Sequence, residues 1–215
     1  GKSGVDSVYG ITGMTQGNIN GPETIVKIDE IRALQANIPT PTGNMYAWNQ
    51  KNGVTASTTG NMTGIYDISG GEWERTASYV ANGNENLLTY GKSIAYDGDV
   101  LNKNSTKYSM VYPHNNELDN INIPDIQENL NDASRANYSK NNKIYGDGIR
   151  ETSTSGIGTT SWNKDNSSFA RCNSPLFGKG GCWCDSSDTG IFYFGRNKGD
   201  SSYDTGFRSI VIPII

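Results

Sequence analysis

Between Trp162 and Arg208 the chain sets glycines and aromatic rings at intervals among small polar residues: Trp162-Asn163-Lys164-Asp165, Gly180-Gly181-Cys182-Trp183-Cys184, Ile191-Phe192-Tyr193-Phe194 and Gly206-Phe207-Arg208. Large rings anchor a core, whereas Ser, Asn, Asp and Gly supply turns and solvated surface. The pattern describes a rigid scaffold that displays a changeable surface, which suits recognition better than catalysis.

Composition agrees with irregular structure on aromatic anchors. Of 215 residues only 34% are hydrophobic, while Gly reaches 26 and Asn 25, so turns should be plentiful. Aromatics at 10% are too many for a disordered chain. One domain over residues 1–215 is expected, with a size sufficient to bury a core. A net charge of −4 with 18 scattered Lys and Arg leaves no basic stripe for phosphates, which argues against nucleic-acid binding. No apolar run of about 18 residues occurs, so no membrane insertion is expected of this chain, and no signal peptide opens it.

Three cysteines, Cys172, Cys182 and Cys184, fall in the last third. Cys182 and Cys184, two apart on a strand, would share a face and not readily bond to each other, which leaves room for one bridge from Cys172. The cluster has no Cys-x-x-Cys and no nearby His, against a zinc site. The single histidine, His114, sits in a polar stretch and reads as a solvated loop residue, leaving Cys-His or Ser-His nucleophilic chemistry without support.

Two helices are expected. Over Pro22–Ala36, Ile25, Ile28, Ile31 and Leu34 recur at three-residue steps, with Pro39 and Pro41 beyond. Over Pro124–Tyr138, Pro124 suits a first turn, Ile126, Leu130 and Ala133 share a face, and the polar run Ser139–Asn142 ends the helix. Residues 42–60 read as loop with Tyr46 and Trp48 as packing anchors, and 80–120 as a long connection with short strands at best. Glu72 and Glu74 flank Trp73 without a visible catalytic partner, and a structural role in bonding loops is the expectation.

Gly64-Ile65-Tyr66-Asp67-Ile68-Ser69-Gly70-Gly71-Glu72-Trp73-Glu74 resembles the Gly-Leu-Tyr-Asp-Met-x-Gly-Asn-Val-Trp-Glu-Trp signature of C-type lectin folds of the formylglycine-generating-enzyme (sulfatase-modifying factor) type. Gly180-Gly181-Cys182-Trp183 is similar to that family's Arg-Gly-Gly-Ser-Trp, and Gly206-Phe207-Arg208 to its terminal Gly-Phe-Arg. The resemblance covers residues 60–215 and implies an α+β, C-type lectin-like fold with short strands, two helices and long irregular loops; the part before about residue 59 is divergent or truncated. Catalysis does not carry over. The family's activity needs two cysteines a few residues apart after Gly-Gly-Ser-Trp, whereas here Cys182 replaces the Ser, Cys184 stands alone past Trp183, and of the following arginines only Arg196 remains.

Residues 162–208 also resemble the variable proteins of diversity-generating retroelements and related gut-bacterial and phage surface proteins. In those systems Asn codons are rewritten to many residue types, but not to Trp or Lys. Alternation along strands would turn Trp183, Phe192 and Phe194 inward and Tyr193 outward. The ligand-binding set is then Cys182, Cys184, Asp185, Ser187, Asp188, Tyr193, Arg196, Asn197, Asp200, Ser202, Tyr203 and Asp204, with Lys198 as an exception to the codon rule. The implied protein is not an enzyme; it binds a protein or glycan receptor on a cell surface and resides outside the cell, on a cell surface or on a virion. The alternatives are an ordinary solvated loop on a non-variable cell-surface or pilin-like structural module, and, behind these, an oxidase of the formylglycine-generating type. No cofactor is expected. A Glu-Pro-Asn calcium loop is not found, although loop carboxylates leave room for a structural calcium.

Overall fold

A computed structural model describes residues 22, 25–27, 44–57, 59–66, 68, 72–95, 105–106, 109–115, 127–141, 146–182, 185, 188–202 and 204–208. It is a mixed α+β structure. Strands β1 (Ile25–Lys27) and β2 (Asn44–Tyr46) form an antiparallel pair. A seven-stranded sheet holds β3 (Trp73–Val80), β4 (Met110–Tyr112), β5 (Ile157–Gly158), β6 (Ser167–Ser168), β7 (Leu176–Lys179), β8 (Phe194–Asn197) and β9 (Thr205–Gly206), in the order β4-β3-β7-β8-β6-β5 with β9 also on β3. Helix α1 spans Glu85–Tyr90 and α2 spans Gln127–Lys140.

Side chains alternate across a strand, and here the alternation separates two cores. Tyr79, Val111 and Leu176 join Leu87 of α1 in one buried cluster, while their successors Val80, Tyr112 and Phe177 join Tyr138 of α2, Phe169 and Phe194 in the other. The second is aromatic-rich: Phe169 lies 4.9 Å from Phe177, 5.4 Å from Tyr138 and 5.5 Å from Tyr112 between ring centres. Burying each such side chain contributes about 1.5–3 kcal/mol.

The second expected helix is present, shifted by two residues at its end. Among its described side chains the buried ones are half polar: Ser134 and Asn137 are fully buried beside Ala133 and Tyr138. Ser134 Oγ donates to the Phe169 carbonyl at 2.9 Å and Tyr138 Oη to the Arg150 carbonyl at 3.1 Å, so α2 docks through loop carbonyls as well as through apolar packing. Asn141 closes it, donating to the carbonyls of Asn137 at 2.7 Å and Pro113 at 2.9 Å. The helix expected from Pro22 is overturned at Ile25–Lys27, where β-branched Ile25 and Val26 enter a strand paired with 44–46; residues 28–36 lie outside the described ones. Inside the expected 80–120 connection, Asn84 accepts from the Asn86 N–H at 2.9 Å and caps the short α1. Among the described residues no helix is long and apolar enough to cross a membrane.

Candidate functional site

Three segments distant in sequence meet at the start of β3. The Trp73 N–H donates to the Asp204 carbonyl at 2.8 Å, and β9 runs parallel to β3 with Trp73 opposite Thr205 and Glu74 opposite Gly206. Beyond β9, the Arg208 guanidinium reaches the Glu74 carboxylate and the Tyr66 carbonyl. Gly180 completes the junction. Its φ of +89° is left-handed, and a Cβ there would stand 2.3 Å from the Ile68 carbonyl oxygen, so a side chain is excluded on both counts. Glu74 thus has the expected structural role.

The Trp73 indole lies on glycine. Gly178 of β7 and Gly195 of β8 are register partners, and Cβ atoms there would come 3.1 Å and 2.5 Å from the ring. Tyr193 meets the indole edge-on, centres 4.5 Å apart at 67°. Asp185 accepts from the Cys182 N–H at 2.8 Å and from the Trp73 side chain. Burial raises its pKa first, and the nearby charges of Asp204 and Asp188 push the same way against those hydrogen bonds.

The expected ligand-binding residues divide accordingly. Asp188, Asp200 and Ser202 are exposed; Asp185, Asn197 and Asp204 are half-buried; Cys184, Ser187 and Tyr203 lie outside the described residues. Tyr193 is a correction: residues 191–192 form a turn, the Tyr193 N–H closes on the Gly190 carbonyl at 3.0 Å, and the strand starts only at Phe194. Strand alternation therefore does not govern Tyr193, which is buried at 8% exposure with its hydroxyl pKa raised by that burial. Cys182 is a second correction, since it is buried and disulfide-bonded while Cys172 keeps its thiol; a bridge starting from Cys172 is not formed. Arg196 is the third. It shares the face of Phe194, so it runs under α2 to Ser168 and Ser134 instead of outward, and burial, with Arg171 nearby, lowers its pKa to about 10. Of the rings expected inside, Phe194 is fully buried and Phe192 half-buried; Trp183 lies outside the described residues.

The loop after β8 is held by its backbone. The Arg75 guanidinium donates to the carbonyls of Gly199 and Asp200, and Trp73 holds Asp204 as above. Between these pins Asp200, Ser201 and Ser202 turn their side chains to solvent. Sequence reasoning passed over Trp73 and Arg75 as organisers of this face; the glycines at 178 and 195, spaced to pair in a hairpin, are the signal that a large ring covers them. Among the described residues no group of three His, Cys, Asp or Glu side chains is placed to hold a metal ion. No protein-family model, curated protein or solved structure matches the chain.

Proposed function

We propose that the chain is a non-catalytic, ligand-binding display protein of C-type lectin-like fold, akin to the variable proteins of diversity-generating retroelements, that engages a surface receptor in attachment or adhesion. One observation carries the reading: the loop 199–204 is fixed to β3 through main-chain carbonyls while Asp200 and Ser202 are exposed. Main-chain anchoring is indifferent to side-chain identity, so such positions accept substitution without loss of fold. The meeting of Tyr66, Ile68, Trp73 and Glu74 with Gly180 and with Thr205, Gly206 and Arg208 supports the fold resemblance, because these residues belong to the segments that carry it. The disulfide at Cys182 supports residence outside a reducing compartment.

The variable set is revised by burial. Asp188, Asp200 and Ser202 remain its exposed members, Asp185, Asn197 and Asp204 its half-buried margin, and Cys182, Tyr193 and Arg196 pass to the scaffold. Randomising 188, 200 and 202 in a displayed library tests this, with sorting for folded protein and for binding to candidate host cells. The reading expects most variants to fold and binding to change among them. It fails if folding is lost at those three positions as often as at Trp73 and Tyr193. Sequencing beside the gene gives a second check: a reverse-transcriptase gene and a near-copy of codons 162–208 are expected.

A further inference from the structure

We propose that Tyr90 is the constant aromatic anchor of the 199–204 face, and that the partner this face takes is a folded protein. The inference rests on the display reading above and adds to it a residue that lies outside codons 162–208. Tyr90 ends α1 and is 44% exposed, as is Leu88 on the same helix. Gly199 fixes where Tyr90 stands relative to the loop. At the left-handed φ of +104°, a Cβ on that glycine would come 2.5 Å from both Tyr90 Cβ and Leu176 Cδ1 and 3.1 Å from Tyr90 Cγ. Position 199 is therefore held to glycine, and the stem of the Tyr90 side chain lies where a side chain there would go. The next residue, Asp200, is an exposed member of the display set.

Both sides of this contact are fixed before any partner arrives. Leu87, three positions before Tyr90, is fully buried in the cluster that holds Tyr79 and Leu176. Asn84 caps the first turn of α1, and the Gly91 N–H closes its end on the Leu87 carbonyl at 2.9 Å. On the loop side, the Arg75 guanidinium holds the carbonyls of Gly199 and Asp200. A tyrosine has only two χ angles to order, and here its stem is already packed, so little entropy is lost when the exposed remainder is covered.

The chemistry of the patch favours a protein. Tyrosine offers a large apolar face with a hydroxyl at its tip, and such residues dominate the energy of protein interfaces when small polar neighbours surround the contact. Leu88 adds an exposed aliphatic side chain to α1. An aliphatic group gains by meeting apolar protein surface, whereas a hydroxyl-covered glycan offers it little. A division of labour follows: Asp200 and Ser202 decide which protein is bound, and Tyr90 decides how tightly any of them is held.

The test builds the library randomised at 188, 200 and 202 on the parent chain and on Tyr90→Ala, and selects both on immobilised lysozyme, streptavidin, ubiquitin and dextran. The parent library should yield binders to at least one of the three proteins, about tenfold or more above the Tyr90→Ala library. Placing Tyr90→Ala in each selected binder should weaken it about 10–30-fold, the size of a hot-spot truncation, and by a similar factor for every target. Exchanging residues 200 and 202 between binders should exchange their targets. Tyr90→Leu keeps the Cβ and Cγ that lie on Gly199 and lacks the ring, so it should melt with the parent and still lose the binding. Equal yields from the two libraries, or binders whose affinity survives Tyr90→Leu, would overturn the anchor and leave the display reading standing. Enrichment on dextran and on none of the proteins would overturn the protein partner. No binder to any target from either library would sink the display reading, and the anchor with it.

Discussion

Replacing Tyr193 with alanine removes the ring that closes the Trp73 indole against the glycine floor of β7 and β8. Tyr193 is 8% exposed and packs edge-on at 4.5 Å. Burial of about 200 Å² at about 25 cal/mol/Å² sets an upper limit near 5 kcal/mol. Alanine keeps a fraction of that, and measured aromatic truncations lie at about 3–5 kcal/mol. For a chain of this length, about 2–4 °C per kcal/mol converts the lower figure into a fall in Tm of at least about 6 °C by differential scanning calorimetry. Tyr193→Phe isolates the hydroxyl, which is hydrogen-bonded with the Asn166 side chain, and should lose about 1 kcal/mol. Asp200→Ala, on an exposed side chain, should stay within about 0.5 kcal/mol. A Tyr193→Ala protein melting within about 2 °C of the parent would refute the assignment of this ring to the scaffold.

Gly195→Ala sets a Cβ 2.5 Å from the Trp73 ring and should destabilise by about 1–3 kcal/mol through overpacking, read by chemical denaturation. Asp185 has its pKa raised by burial, so the folded state takes up a proton there before the unfolded state does. Its contribution is therefore fully present below the ordinary carboxylate value of about 3.9 and is lost as pH rises through the higher folded value; denaturant midpoints should move in favour of the parent over Asp185→Asn between pH 7 and pH 4. Arg150 is 4% exposed with Nη1 and Nη2 unpartnered and its guanidinium carbon 3.6 Å above the Tyr138 ring. Arg150→Met should alter stability by no more than about 1 kcal/mol, or raise it, because a buried charge leaves with its desolvation penalty, whereas Arg150→Ala should lose about 2–3 kcal/mol to a cavity.

What could be read from the sequence follows the range of the forces involved. Helix α2 was legible because Pro124, the Ile126-Leu130-Ala133 spacing and the polar run Ser139–Asn142 are local signals. Its docking was not, since Ser134 and Asn137 are buried on loop carbonyls and no hydrophobic period marks them. Ile25–Lys27 went the other way: the three-residue spacing of isoleucines suggested a helix, and pairing with residues 44–46 made a strand. At the site, the polarity of Asp188, Asp200 and Ser202 announced their exposure. Tyr193 misled because alternation presumes a strand, and the turn at 191–192 breaks the period one residue too early. Arg196 was expected outward although alternation puts it on the face of inward Phe194; what no local pattern showed is the covering helix, whose residues lie some sixty positions away.

The two cores on either side of the sheet limit how this chain can vary over time. Leu176 and Phe177 are neighbours in the chain yet belong to opposite clusters, as are Tyr79 and Val80, and Val111 and Tyr112. An insertion or deletion of a single codon within any of these strands would exchange the occupants of the two cores at once, sending an aromatic residue into space shaped for an aliphatic one. Within these strands novelty must come by exchanging letters at constant length, while loop tips are where the spelling can grow.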